Sequence, residues 1–318
     1  MARATHPALY LNADSLLRFL GPAQALSAIE RFFLEHPRTQ VAVPTRIHLP
    51  VPSAKTMGLY MPAATRDYVG VKIVHLMPER RPSVEAEVFL YEAQTGKLLF
   101  WGDGKPLTAL RTAAVSTAAT LALRPELKHL VVFGAGVQAA AHIQAMRSAY
   151  PGLSSITALV RTPQSFERLL ELLPEPDREA VKVAEEPEVV LAQADCVIAT
   201  TPAAQPLFAW DALKTNCHVV GVGSATPAMN ELPAEAFIHS RVWVDTVAAL
   251  KEAGDCLNAE KKGWESAQYK GDLFDLLGTE PPSAEETPTL FKSVGHAAQD
   301  LAILIQLWET AKEKGLAP

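Results

Sequence analysis

Apolar residues change their spacing along the chain, and each change marks a change of architecture. Residues 9 to 11 read as a short strand, after which Asp14 can cap a helical stretch that Gly21-Pro22 interrupts and restarts. Leu26, Ile29 and Phe33 then fall on one helical face. From Val43 to Trp101 the pattern turns to short β-rich runs, over Thr45–Leu49, Thr56–Met61, Val69–His75, Glu85–Tyr91 and Leu98–Trp101, punctuated by Pro and Gly. Turns rather than helices separate these runs, so they predict a mostly antiparallel sheet. Pro106–Leu123, rich in Ala and Leu, predicts the helix that leaves it.

From Leu130 onward strands alternate with helices: Leu130–Phe133, Ile156–Val160, Val181–Ala184, Cys196–Ala199, His218–Val222 and Val242–Asp245 are the apolar runs. That rhythm predicts a doubly wound parallel sheet of the Rossmann type. Asn258–Thr287 is polar and contains Pro281-Pro282, which predicts a surface excursion. Val294–Lys314 carries Ala298, Leu301, Ile305 and Trp308 at helical spacing, a helix suited to pack back on the first domain. The expected architecture is therefore α/β, with a parallel-sheet domain over residues 121–295 inserted in an α+β domain of residues 1–120 and 296–318.

At 318 residues the chain is about twice the usual domain length, which fits two domains. A formal net charge of -6 without a long basic run removes nucleic acid as an expected partner. Asn12, Asp14 and Arg18 interrupt the apolar residues of the N-terminus, and no uncharged run approaches the roughly 20 residues of a membrane span. No membrane association and a cytoplasmic location are expected. Cys196, Cys217 and Cys256 are too far apart for a Cys-x-x-Cys metal site and read as reduced structural thiols. His48, His75, His142 and His218 show no ligand spacing, and no metal is expected.

Candidate chemistry begins at Gly134-Ala135-Gly136-Val137-Gln138-Ala139, a G-x-G-x-x-A run between an apolar strand and a helical stretch, Val137–Ala149. Such glycines allow a tight turn and a close backbone approach, so that a dinucleotide pyrophosphate can sit on free N–H groups at the helix N-terminus. The next strand ends in Arg161-Thr162, where an NAD-binding protein would carry an acid for the ribose 2′-hydroxyl. A guanidinium and a hydroxyl suit a 2′-phosphate, which favours NADPH over NADH.

Four segments together carry a family resemblance. They are Gly102-Asp103-Gly104 followed by Leu107-Thr108-Ala109-Leu110-Arg111-Thr112-Ala113-Ala114, the fingerprint with Gln138-Ala139, the run Gly223 to Leu232, and Phe291-Lys292-Ser293-Val294-Gly295. The chain resembles the ornithine cyclodeaminase and mu-crystallin family over nearly its whole length. The resemblance implies a homodimer whose first domain forms the subunit contact and part of the substrate site, and chemistry at a carbon bearing an α-amino or α-imino group. It implies that Arg46, Lys72 and Arg111 hold the substrate carboxylate, with Lys72 and Arg111 catalytic and Ser224 beside them. It also implies that Thr112, Thr200, Val222, Gly223, Ser293 and Gly295 join the fingerprint around the nicotinamide nucleotide. Arg111 has independent support, since it lies in a run of Ala, Leu and Thr where an unpaired buried charge would be costly.

One departure from the family is informative. Its cyclodeaminases and archaeal-type alanine dehydrogenases carry an Asp two residues after Gly223, where this chain has Ala225. A methyl group cannot relay a proton from an amine, which argues against oxidative deamination. The run Ser224-Ala225-Thr226-Pro227-Ala228-Met229-Asn230-Glu231-Leu232 instead resembles bacterial reductases of Δ1-pyrroline-2-carboxylate and Δ1-piperideine-2-carboxylate, whose substrates arrive with the C=N bond made. Expected is reduction of such a cyclic ketimine to L-proline or L-pipecolate, in proline or lysine metabolism. Lys72, a water or a pre-protonated substrate remain open as proton source, and Glu231 reads as structural. Two alternatives stand: an amino-acid dehydrogenase or ornithine cyclodeaminase using another group, and an NADPH-binding protein of the mu-crystallin kind.

Overall fold

A computed structural model describes residues 8–52, 54–80, 83–184, 186–278 and 287–316. The chain divides into two compact units, one running to Arg111 and resuming at His296, the other Thr112–Gly295.

The first unit holds β1 (Leu9–Leu11), helices α1 (Ala13–Phe19) and α2 (Pro22–Glu35), and strands β2 (Ile47–Pro50), β3 (Met57–Ala64), β4 (Tyr68–Leu76), β5 (Val84–Glu92) and β6 (Leu98–Asp103). The strands form one sheet in the order β1-β6-β5-β4-β3-β2, antiparallel except that β1 runs parallel to β6. Asn12, rather than Asp14, caps α1: its side chain accepts from the Ser15 N–H, placing Asp14 inside the first turn. On α2 the buried face is broader than Ile29 and Phe33, because Ala25, Ala28 and Phe32 join them while Leu26 is only half-buried. The alternation of β4 and β5 sends Gly70, Lys72, Val74, Ala86, Val88 and Leu90 to the inner face. There they meet the helix Ala297–Glu313. A Cβ on Gly70 would come within 2.9 Å of Leu301, so this glycine sets how closely the helix lies on the sheet.

Helix α3 (Gly104–Leu123) leaves this sheet, and the division between units falls inside it. The second unit then alternates β7 (His129–Phe133), α4 (Val137–Ala149), β8 (Ser155–Leu159), α5 (Pro163–Leu172), α6 (Glu175–Arg178), β9 (Val181–Val183), α7 (Pro187–Gln193), β10 (Cys196–Ala199) and β11 (His218–Gly221). It continues through α8 (Ala234–His239), β12 (Arg241–Val244), α9 (Ala249–Glu252), α10 (Gly254–Lys261), α11 (Leu273–Leu277) and β13 (Thr289–Lys292). All seven strands pair in parallel, in the order β12-β13-β11-β10-β7-β8-β9, a Rossmann-like sheet. Helix α12 (Ala297–Glu313) belongs to the first unit, where it packs on β3, β4 and α2.

Two expectations need correction. Strand β13 has no counterpart among the strands expected from sequence, because Thr289-Leu290-Phe291-Lys292 follows a polar stretch and ends on a charge, yet it sits between β11 and β12 with every residue buried. The segment from Asn258 is also more than a surface excursion, since Ala259, Trp264, Leu273 and Leu276 are buried. Pro281-Pro282 lies outside the described residues. All three cysteines are buried and free. No helix among the described residues is long and apolar enough to cross a membrane.

Candidate active site

In the second unit the chain reverses its winding between β7 and β10, and ligands of open α/β sheets bind off the strand ends at such a point. Gly134 follows β7 with φ +121°, and a Cβ there would lie 2.5 Å from Thr200 Oγ1, just past β10. Thr200 spends its own hydroxyl on the Phe133 carbonyl, 2.8 Å away, so it fixes the turn. Gly136 caps α4 without a side-chain partner, and a Cβ on it would meet no atom within 4 Å. Val137, the first residue of α4, is 58% exposed beside it. A backbone cradle of this kind fits a dinucleotide pyrophosphate. Ala135 and Gln138 share this turn. Arg161 and Thr162 follow β8 exposed, with the Thr162 oxygen accepting from the Ser165 N–H to cap α5.

Two carboxylates that the sequence reading did not assign to the site shape the other strand ends. Glu231 Oε1 accepts from the N–H groups of Gly223 (2.6 Å) and Ser224 (3.1 Å), and its Oε2 accepts from the N–H (2.9 Å) and hydroxyl (3.2 Å) of Thr201. One side chain thus ties the end of β11 to the end of β10. A side chain on Gly223 would overlap the Thr201 carbonyl, so only glycine fits there. Val222 donates to the Ala199 carbonyl at 2.9 Å, and the buried Ser224 hydroxyl donates to the Met229 carbonyl at 2.9 Å, inside the loop. Behind Glu231, Lys292 Nζ lies 3.0 Å from Asp255 and 3.8 Å from Glu231, all fully buried. Burial raises the Glu231 carboxyl against the pull of Lys292. Burial would lower the Lys292 ammonium, but Asp255 and Glu231 more than offset it, leaving it above the ordinary lysine value. The second carboxylate, Asp245 after β12, accepts from the Ser293 hydroxyl (2.8 Å) and from the N–H groups of Val294 (3.0 Å) and Gly295 (2.7 Å). Thr112, on α3, is buried.

The first unit gathers the three cations. Lys72 is 1% exposed on the inner face of β4, and its Nζ donates to Asp300 Oδ1 of α12 at 2.8 Å. Arg111 Nε approaches the same oxygen at 3.1 Å, while its Nη1 donates to Gln299 Oε1 at 2.7 Å. Arg46, half-buried just ahead of β2, is near enough for its charge to act on Lys72. Burial first, then the Arg111 charge, pull the Lys72 ammonium down to about 8, with Asp300 opposing them. Among the described residues, Lys72 and Arg111 carry two positive charges and share the one carboxylate of Asp300. Buried charge in excess demands a counter-ion, and one ligand carboxylate would supply it. Asp300 and Gln299 escaped the sequence reading, although an acid just ahead of the apolar run Leu301–Ile305 was a usable signal.

Comparison with known proteins agrees in both sequence and fold. A Delta(1)-pyrroline-2-carboxylate reductase of Bacillus cereus is 30% identical over 306 residues, covering 92% of each chain. The ketimine reductase mu-crystallin of Mus musculus is 30% identical over 314 residues, covering 95% of each. The structure of Thermococcus litoralis Delta(1)-pyrroline-2-carboxylate reductase, in complex with NADH and L-proline, superposes with a TM-score of 0.88 at 27% identity, over 98% of this chain and 99% of that one. The family model for the ornithine cyclodeaminases and mu-crystallins matches residues 15–315, and the chain belongs to that family.

Proposed function

We propose that this protein reduces a cyclic ketimine carboxylate, Δ1-pyrroline-2-carboxylate to L-proline, Δ1-piperideine-2-carboxylate to L-pipecolate, or both, with NADPH preferred over NADH. The observation that carries the reading is the buried excess of positive charge at Lys72 and Arg111, which suits a small monocarboxylate. The bacterial and murine relatives named for imine reduction support it, as does the L-proline bound by the Thermococcus enzyme.

In this reading Arg46, Lys72 and Arg111 hold the substrate carboxylate, and Arg111 offers its guanidinium while Gln299 steadies it from behind. Residues 134–138, with Thr112, Thr200, Val222, Gly223, Ser293 and Gly295, border the dinucleotide, and Ser224 supports the loop beside the substrate. A bound reduced nicotinamide supplies hydride to C2. The protein contributes mainly orientation, because the clamp fixes the carboxylate and so fixes C2. Ala225 leaves no carboxylate for drawing a proton from an ammonium, which favours an imine substrate over an amine. Arg161 and the Thr162 hydroxyl would take the 2′-phosphate.

A homodimer is part of the proposal. Strand register puts Tyr10, Trp101, Phe89, Tyr60, Ile47 and Leu49 on the outer face of the first unit's sheet. Tyr10, Ile47 and Leu49 are each more than half exposed, an apolar face of the kind subunit contacts cover.

The test follows the fall in 340 nm absorbance when the protein meets each imine with NADPH, and with NADH in parallel. Rapid oxidation with NADPH preferred is expected, and kcat/KM is expected to drop by orders of magnitude in Arg111→Ala. Failure to oxidise either dinucleotide with both imines would sink the reading.

A further inference from the structure

The clamp contains an acid that a carboxylate-binding site would ordinarily exclude, since like charges repel. Asp300 lies 1% exposed among the cations, with Oδ1 shared between Lys72 (2.8 Å) and Arg111 (3.1 Å). We propose that Asp300 is the positioning residue of this site, locking Lys72 and Arg111 into one geometry and supplying the counter-charge that keeps Lys72 an ammonium ion when no substrate is bound. The inference rests on the ketimine-reductase reading for its consequence, and on geometry for its substance.

The surroundings of Lys72 are few and mostly apolar. Its strand neighbours in register are Met61 on β3 and Val88 on β5, and the charged groups that face it are Arg111 on α3, Asp300 on α12 and Arg46 ahead of β2. Two of those three are cations that work with burial to expel its proton, so among the described residues Asp300 is the charge that holds the proton on. A neutral amine at this place would still be buried but could no longer attract a carboxylate. Asp300 therefore sets the highest pH at which the clamp has its full charge.

The substitution that isolates the charge is Asp300→Asn, which keeps the shape and one acceptor oxygen. Lysines labelled with 13C at Cε are titrated by NMR in the full-length protein, with the Lys72 signal assigned by its loss in Lys72→Arg. Lys72 is expected to titrate near 8 in the parent protein and at least one pH unit lower in Asp300→Asn, with Asp300→Glu restoring the parent value. The alkaline limb of kcat/KM is expected to move by the same interval in Asp300→Asn and to vanish in Lys72→Arg. Should Asp300→Asn not fold, Asp300→Ser is titrated in its place, and a Lys72 titration unchanged from the parent in either folded variant overturns the proposal. Absence of turnover in the parent protein would refute the ketimine reading while the NMR titration still judged Asp300.

Discussion

Glu231→Gln asks most of the structure, because the side chain is nearly isosteric and loses its charge and one of its two acceptor oxygens. In the parent protein four donors converge on two carboxylate oxygens, the N–H groups of Gly223, Ser224 and Thr201 and the Thr201 hydroxyl. An amide keeps one oxygen. Whichever way it turns, its NH2 meets either the Thr201 N–H or the pair of N–H groups from Gly223 and Ser224, so one or two buried donors lose their acceptor. Each such loss costs about 1–3 kcal/mol, and the bonds made to the remaining oxygen weaken when the acceptor is no longer charged. Lys292 still has Asp255 at 3.0 Å, which limits the further electrostatic cost. The sum is roughly 2–5 kcal/mol, which at about 2–4 °C per kcal/mol lowers Tm by roughly 4–20 °C. NADPH affinity is expected to fall about tenfold or more, since the same bonds hold the strand ends that carry Val222, Gly223 and Thr200. Thermal melts by far-UV circular dichroism and NADPH fluorescence titration measure the two effects. Glu188→Gln, at an exposed position on α7, is the control and should change Tm by no more than a degree or two. Parent-like stability and affinity in Glu231→Gln would refute the reasoning, and would mean that Glu231 carries a proton in the parent protein despite its four donors.

Three shorter expectations follow from other residues. Arg161→Ala should raise KM for NADPH about 10- to 100-fold and leave NADH nearly unaffected; equal losses with both dinucleotides would show that Arg161 does not discriminate between them. Gly134→Ala places a Cβ 2.5 Å from Thr200 Oγ1 at φ +121°, so dinucleotide binding should vanish in a fluorescence titration, and retained binding would contradict the turn geometry. Stability should fall in mild acid because burial holds His142 neutral down to about 4, and burial with the Arg124 charge holds His218 neutral down to about 3. An unfolded imidazole takes its proton near 6.5, so the unfolded chain binds more protons below that pH; stability is full above it and is lost on acidification, by about 2 kcal/mol per histidine at pH 5. Urea midpoints at pH 7.5 and pH 5 test this, and a loss that does not shrink by about that amount in a folded His142→Asn would remove His142 from the account.

Much of the fold was legible because its elements repeat short periods. The alternation of Val69–His75 and Glu85–Tyr91 marks half-buried antiparallel strands, and the run of strands from Leu130 marks a parallel sheet. Local chemistry misled where two residues competed for one role, as at Asn12 and Asp14: both can cap a helix, and one residue of phase decides between them. Strand β13 was hidden for a different reason. Four residues are too few to show a period, and Lys292, which looks like the end of a buried run, is itself buried by pairing with Asp255.

The candidate site divides along the same line, between what a residue announces locally and what it owes to distant partners. The glycines at 134 and 136 sit in one contiguous run whose spacing reports a turn, and the cations at 46, 72 and 111 stand among apolar neighbours where a charge draws notice. The acids that hold these features do neither. Glu231 serves Thr201 from 30 residues away, and Asp300 serves Lys72 from 228 residues away. Nothing in the local sequence distinguishes Asp245 or Asp255 from a solvated surface acid. Burial does, because a buried ion must be paired or hydrogen-bonded, so every inward-facing cation on an apolar strand implies an acid elsewhere in the chain. Applied to Lys72 and Lys292, that rule calls for at least one internal carboxylate in each unit before any contact is measured. Asp300 answers in one, and Asp255 with Glu231 in the other. Around Lys292 two carboxylates face one ammonium, whereas Lys72 and Arg111 share the one carboxylate of Asp300, a surplus of the sign that the proposed substrate anion would complete.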